Sequence, residues 1–162
     1  MPDRPTIRPA TSSDVPHAAR LAGELVRMHR AVDPLRFMLV DEVEKGYGWW
    51  FGRELQRDQA RLLVADLGGA IVGYAYGTLE ERDWNLWLDV HGAIHDVFVV
   101  DEARRTGTGR RLTEALIAEL EKLGAPRIVL GTMVSNLAAQ KLFESLGFRP
   151  TMLEMTRDTP GG

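Results

Sequence analysis

The sequence predicts an α/β domain with a largely antiparallel front half, followed by a strand, a glycine loop and a helix. Three observations predict it. Apolar residues recur at helical spacing in "DVPHAARLAGELVRMH" and again in "RRLTEALIAELEKLG". Between those segments, "ARLLVADL" and "AIVGYAYGTLEE" are apolar runs joined by Gly68 and Gly69, the pattern of an antiparallel hairpin. Finally, "VFVVDEARRTGTGRRL", Val97 to Leu112, leaves an apolar run through a turn rich in arginine and glycine and enters the second helix.

Each element has its own signal. Thr6 to Ala10 reads as a short strand, and Ser12 or Ser13 is the expected N-cap of a helix carrying Val15, Ala18, Leu21, Ala22, Leu25 and Met28 on one face. "RAVDPLRFMLV" turns at Asp33 and Pro34 and leads to "DEVEKGYGWWFGREL", read as a helix despite its glycines. After the hairpin, a polar turn at Arg82 to Asn85 precedes a strand expected within "LWLDVHGAIHDVFVV", with Gly92 as a candidate bulge. The helix after the glycine loop should end at Gly124. Beyond it come a strand in "PRIVLGT", a helix in "NLAAQKLFESLGF" ended by Gly147, and a final strand in "RPTMLEMTR". Residues 1–157 form a single domain in this reading, and 158–162 a disordered tail.

Composition narrows the function. The chain has 162 residues, enough for one core, and 44% hydrophobic against 27% charged residues is the balance of a globular protein. Its apolar runs fall far short of the ~20 residues that span a bilayer, so no membrane partner is expected. Twenty basic against 23 acidic side chains argue against a nucleic-acid partner. With no cysteine, disulfides, thiolate metal sites and a cysteine nucleophile are excluded; no metal is expected, and the charged opening "MPDRPTIRPA" fits a cytoplasmic location.

A loop between a strand end and a helix N-terminus presents free N–H groups and a positive dipole end to an anion. Gly107 and Gly109 allow close backbone approach, while Arg104, Arg105, Arg110 and Arg111 can pair with phosphate oxygens. A P-loop would need Lys and then Ser or Thr where Arg110 and Arg111 stand, and a dinucleotide fingerprint would need Gly or Ala at Leu112. What remains is "RxxGxG", Arg104 to Gly109. It resembles the cofactor loop of the GNAT superfamily of acetyl-CoA-dependent N-acetyltransferases. "TIRPATSSDVP" is similar to that family's opening, and Asn136, Ala139, Leu142, Gly147 and Phe148 match its late "NxxAxxLYxxxGF" signature.

The resemblance implies a twisted, mixed, mostly antiparallel sheet of six to seven strands, with helices on both faces and a splay between the fourth and fifth strands where acetyl-CoA lies. It places the pyrophosphate on backbone N–H groups from Arg105 through Thr106, Gly107, Thr108 and Gly109 to Arg110. It pairs the pantetheine arm with the backbone of Val97, Phe98 and Val99, near Asn136. Coenzyme A would leave as product.

The implied reaction moves an acetyl group to a primary amine of a small molecule or a peptide N-terminus by direct attack. An ammonium must first lose a proton to a base. Period-two alternation puts His95 on one face of its strand and Asp96 on the other, unless a bulge intervenes. His95 is the leading base, with Asp96, Glu80, Glu81 and His29 as rivals. Phe143 stands where the family's usual tyrosine acid would be, which keeps an alternative alive: an acetyl-CoA-binding sensing or interaction module of weak activity. In this fold the segment between the first two helices walls the acceptor site, so Phe37, Tyr47, Trp49, Trp50 and Phe51 could enclose a cation while Asp41, Glu42 and Glu44 favour an amine. His29, Phe37, Trp50 and Glu80 are the expected acceptor contacts. Trp84 and Trp87, near a hairpin tip, are candidate contacts of a homodimer.

Overall fold

Strands β1 (Thr6–Pro9), β2 (Ala60–Leu67), β3 (Ala70–Glu80), β4 (His91–Val99) and β5 (Ile128–Leu130) lie in chain order in one sheet, antiparallel up to β4 and parallel between β4 and β5. The structure is a computed structural model and describes residues 3–161; Met1, Pro2 and Gly162, the end of the expected disordered tail, lie outside the described residues. The predicted hairpin forms, with both Gly68 and Gly69 at positive φ.

Helices α1 (Val15–Val32) and α2 (Val43–Glu54) cover one face of the sheet, where Leu21 and Phe51 pack with Val64, Tyr74 and Phe98. Helix α3 (Thr108–Lys122) covers the other through Leu112, Leu116 and Leu120, packed on Leu63, Ala75 and Ile94. Each such leucine contributes about 1.5–3 kcal/mol by leaving water. Gly77 lets α3 approach: a Cβ there would stand 2.8 Å from the Ala93 carbonyl oxygen and 3.2 Å from Leu116. Helix α4 (Leu137–Ser145) follows β5. The first helix is entered through a 3₁₀ turn, Ser12–Asp14, capped by Thr11 rather than by Ser12 or Ser13. The Thr11 amide and hydroxyl both donate to Asp14 Oδ2, at 2.8 and 3.0 Å.

The strand count differs from the expectation. Five strands form among the described residues, and the predicted sixth, Arg149 to Arg157, joins no sheet. Met152, Leu153 and Met155 are exposed, while Glu154 pairs with Arg36 in the turn after α1. Pro150 removes a ladder donor, β5 offers only three residues to pair with, and the Arg36–Glu154 pair draws the segment toward the turn after α1, so the apolar pattern forms no strand.

Two irregularities of β4 make the site. β5 pairs only with Gly92 to Ile94, so among the described residues the same edge of β4 from His95 to Val99 has no neighbouring strand. The register with β3 also slips: Gly77 lies opposite Ile94 and Tyr76 opposite Asp96, leaving His95 as the extra residue of a bulge. The bulge is therefore not at Gly92, which pairs regularly with Leu79. It also overturns the expected alternation, because His95 and Asp96 now project from the same face, the one under α1 and α2.

Candidate active site

On β3 the pleat puts Tyr74, Tyr76, Thr78 and Glu80 on the face that carries the bulge. Tyr74 donates its hydroxyl to Asp96 Oδ2 at 3.0 Å. The Tyr76 ring lies 5.1 Å from the His95 ring, and its hydroxyl donates to Glu54 Oε2 at 2.6 Å. Glu54, buried at the end of α2, also accepts from Arg57 at 2.9 Å, so Tyr76 is held from behind by a charged pair. Thr78 Oγ1 lies 2.7 Å from His95 Nε2, and the Thr78 hydroxyl donates to Glu80.

Above this floor is a cavity of about 750 Å³ lined by His29, Phe37, Tyr47, Trp50, His95 and Asp96, with Val40 and Val43 on its wall. A smaller cavity of about 380 Å³ shares Tyr47, Trp50, His95 and Asp96 and adds Thr78 and Glu80. Between them the two cavities are lined by His29, Phe37, Trp50, Glu80, His95 and Asp96, whereas Glu81 lines neither. His29 Nδ1–H donates to the Leu25 carbonyl at 2.9 Å, and its ring stands edge-on to Phe37 at 4.9 Å. The aromatics divide: Phe51 is core, Trp50 faces the cavity, and Trp49 lies on the surface under Arg53. The acids of the α1–α2 connection are absent from both linings; Glu44 pairs with Arg27 at 2.6 Å and Glu42 with Lys45 at 3.5 Å. The cavity's negative charge comes from the sheet instead. Burial pushes the Asp96 carboxyl above its ordinary range, against the lowering effect of the Tyr74 hydroxyl and of nearby His95 and His29. Burial and the Asp96 charge push Tyr47 up to about 12, so it stays a neutral phenol.

The glycine loop lies where β4 gives way to α3. Gly107, at φ 79°, caps the helix, and Arg105 also takes the left-handed conformation at φ 62°. Among the described residues, the six successive amides from Arg105 to Arg110 have no acceptor, which makes the loop an open nest for an anion. Gly109 has space around it: a Cβ would come no closer than 3.8 Å to any neighbour outside the turn. The side chains do less here than expected. Arg104 donates to the Val99 carbonyl, Arg110 pairs with Glu114, and Arg111 donates to the Pro5 carbonyl. The hydroxyls of Thr106 and Thr108 bond to each other, with Thr106 donating onward to the Ala103 carbonyl. Arg105 alone of the four arginines makes no side-chain hydrogen bond among the described residues. Asn136 caps α4, accepting from the Ala139 amide at 3.1 Å, and Phe143 packs edge-on against Phe148.

In chain order, the bulge at His95 under the acidic cavity is followed by the unpaired stretch of β4 and then by the run of free amides at the start of α3. The profile of the Acetyltransferase (GNAT) family matches residues 25–148. The chain belongs to the GNAT family. It is 31% identical to the mycothiol acetyltransferase of Thermobispora bispora, an alignment covering 90% of this chain and 51% of that protein. A shorter match, 46% identical over 34% of this chain and 37% of the relative, is to the [ribosomal protein bS18]-alanine N-acetyltransferase of Escherichia coli strain K12. The chain spans about half the length of the mycothiol enzyme that it matches. In fold it is similar to a tetramutant of the BH1408 protein from Bacillus halodurans, with a TM-score of 0.80, 24% identity and coverage of 95% and 99% of the two chains. It is also similar to the aminoglycoside N-acetyltransferase AAC(6')-Iy in complex with CoA, with a TM-score of 0.72, 19% identity and coverage of 95% and 98%. GNAT proteins use acetyl-CoA. No helix among the described residues is long and apolar enough to cross a membrane.

The sequence reading missed Tyr74, Thr78 and Tyr76, and Glu54 behind them. Their signal was present: "YAYGTLE" alternates, and its polar members share one face of a strand.

Proposed function

We propose that this protein is an acetyl-CoA-dependent N-acetyltransferase that acts on a primary amine by direct attack. The observation that carries the reading is the bulge, which places His95 and Asp96 side by side beneath one cavity, next to the unpaired edge of β4. The amides of Arg105 to Arg110 would hold the pyrophosphate, and the backbone of Val97 to Val99 the pantetheine arm. Acetyl-CoA supplies the activated acetyl group. Asp96 attracts the ammonium into the cavity, and the rings of His29, Phe37 and Trp50 surround the carbon body next to it. His95 removes the proton that blocks the nitrogen lone pair. The lined volume suits a small amine or the first residues of a peptide. The protein as a cytoplasmic homodimer is part of the same proposal, with the exposed Trp84 and Trp87 as contacts.

The test is thiol release from acetyl-CoA across polyamines, amino acids, aminoglycosides and short peptides. At least one primary amine should give turnover, and His95→Ala should lower kcat by about 10²–10⁴-fold with coenzyme A affinity retained. A full rate in His95→Ala would move the proton to Asp96. Coenzyme A binding with no turnover on any amine class would favour a sensing module.

A further inference from the structure

The hydroxyl of Thr78 has one proton and two neighbours, and this determines which nitrogen of His95 carries a proton. A carboxylate only accepts, so the Thr78 proton is donated to Glu80. What remains toward His95 Nε2, 2.7 Å away, is an oxygen lone pair. The contact is a hydrogen bond only if Nε2 carries the proton and donates. In a neutral imidazole, Nδ1 is then the nitrogen with the free lone pair.

We propose that Thr78, backed by Glu80, fixes His95 as the Nε2–H tautomer and so makes Nδ1 the atom that accepts the acceptor amine's proton. The inference rests on His95 being the base. Thr78 is buried, on a strand anchored on both sides, so its hydroxyl is a fixed point rather than a mobile surface group. The ring is also held in plane: Tyr76 lies against it with 30° between the ring planes and is itself tied to Glu54 and Arg57. No side chain among the described residues forms a hydrogen bond with Nδ1, and His95 lines both cavities, so that nitrogen is available to a ligand. As Nδ1 takes the proton, the ring becomes a cation with Glu80 3.8 Å from its other nitrogen, close enough to stabilise the charge it has gained. Thr78 and Glu80 are positioning residues in this account, and the chain order Glu80, Thr78, His95 is a relay of orientation in which only the histidine meets the amine.

The imidazole nitrogens report the tautomer directly. In the full chain labelled with ¹⁵N-histidine, with the His95 signals identified by their loss in His95→Gln, neutral His95 should show the Nε2–H pattern. Thr78→Val should turn it into a tautomer mixture and lower kcat roughly 10-fold or more, with KM for the amine little changed, while Thr78→Ser restores both. The amine is whichever member of the panel above gives the highest turnover. A wild-type Nδ1–H pattern overturns the proposal even where His95→Gln is inactive, in which case His95 remains the base. A Thr78→Val protein with unaltered spectrum and kcat overturns it as well. Should Thr78→Val not fold, the wild-type spectrum and Thr78→Ser still decide. Full turnover by His95→Gln would instead remove the base assignment, and the role of Nδ1 with it.

Discussion

Two recessed carboxylates, Asp14 at the start of α1 and Asp96 in the bulge of β4, meet opposite fates. Asp14 accepts from the Arg8 guanidinium at 2.7 and 3.0 Å and from the Thr11 amide at 2.8 Å, and Arg8 also reaches Asp66. Those donors, Arg8 foremost, hold its carboxyl well below the usual range despite burial. Asp96 receives one neutral hydroxyl, from Tyr74, and its carboxyl is pushed up. The fold completes the first group and leaves the second incomplete. A carboxylate fully met by its own chain holds a helix to a sheet; one short of donors and open to a cavity can draw an ammonium from water. Incomplete satisfaction, more than acidity, separates the candidate site from the scaffold.

The sharpest break of this contrast is Asp96→Asn, which should change activity and stability in opposite directions. Removing the charge from the cavity should lower kcat/KM for the best amine by about 10–100-fold, carried by KM, as for a hydrogen bond to a charged group. The raised carboxyl costs the fold: its contribution is fully present below the unfolded value of ~3.9 and is lost as pH rises through the folded value. The Asn variant escapes that loss. Thermal unfolding followed from about pH 3.5 to 8 should show it level with wild type in acid and more stable at neutral pH. A variant less stable at every pH would mean that Asp96 is as well satisfied as Asp14.

Asp14→Asn should do the reverse. Its carboxyl is depressed, so the stabilisation is present above ~3.9 and is lost as pH falls through the folded value. Leaving the half-buried Arg8 part-paired beside a buried side chain at position 14 should cost about 1–3 kcal/mol at neutral pH. Denaturant unfolding should find the deficit intact from pH 5 to 8 and shrinking below ~4, with amine KM unchanged. A shift in KM would join the two regions that the contrast separates.

Much of the fold was legible because it rests on patterns that local chemistry enforces. Leu112, Leu116 and Leu120 follow the helical period, Gly68 and Gly69 punctuate a hairpin, and Gly107 and Gly109 open the loop. The bulge was not. Nothing in "GAIHDVF" marks His95 as the unpaired residue, and the glycine at position 92 drew the expectation to the wrong place. A register slip is settled by both strands together, and here α3 claims Ile94 and Val97 for its own face, leaving the residues between them to turn the other way. The final strand failed for a related reason. Alternation in "TMLEMTR" describes what a segment could present to a sheet, but pairing needs an edge, and the Arg36–Glu154 pair shows this one directed to the α1–α2 turn.

The smallest expected effect tests the contrast at a single hydroxyl. In Tyr74→Phe the ring keeps its packing on Phe51, 5.7 Å between centroids, and only the donor to Asp96 is lost. That hydrogen bond lowers the Asp96 pKa, so its removal pushes the carboxyl further up and adds to the stability lost as pH rises. The deficit should be about 0.5–1.5 kcal/mol at neutral pH and smaller near pH 3.5, the opposite slope to a loss of packing, which pH would leave alone. Pairing the change with Asp96→Asn closes the cycle. If the hydroxyl works by partly satisfying a charge, Tyr74→Phe should cost less in the Asn background, because an uncharged amide needs the donor less. Equal costs in both backgrounds would show that Tyr74 holds the strand rather than the carboxylate.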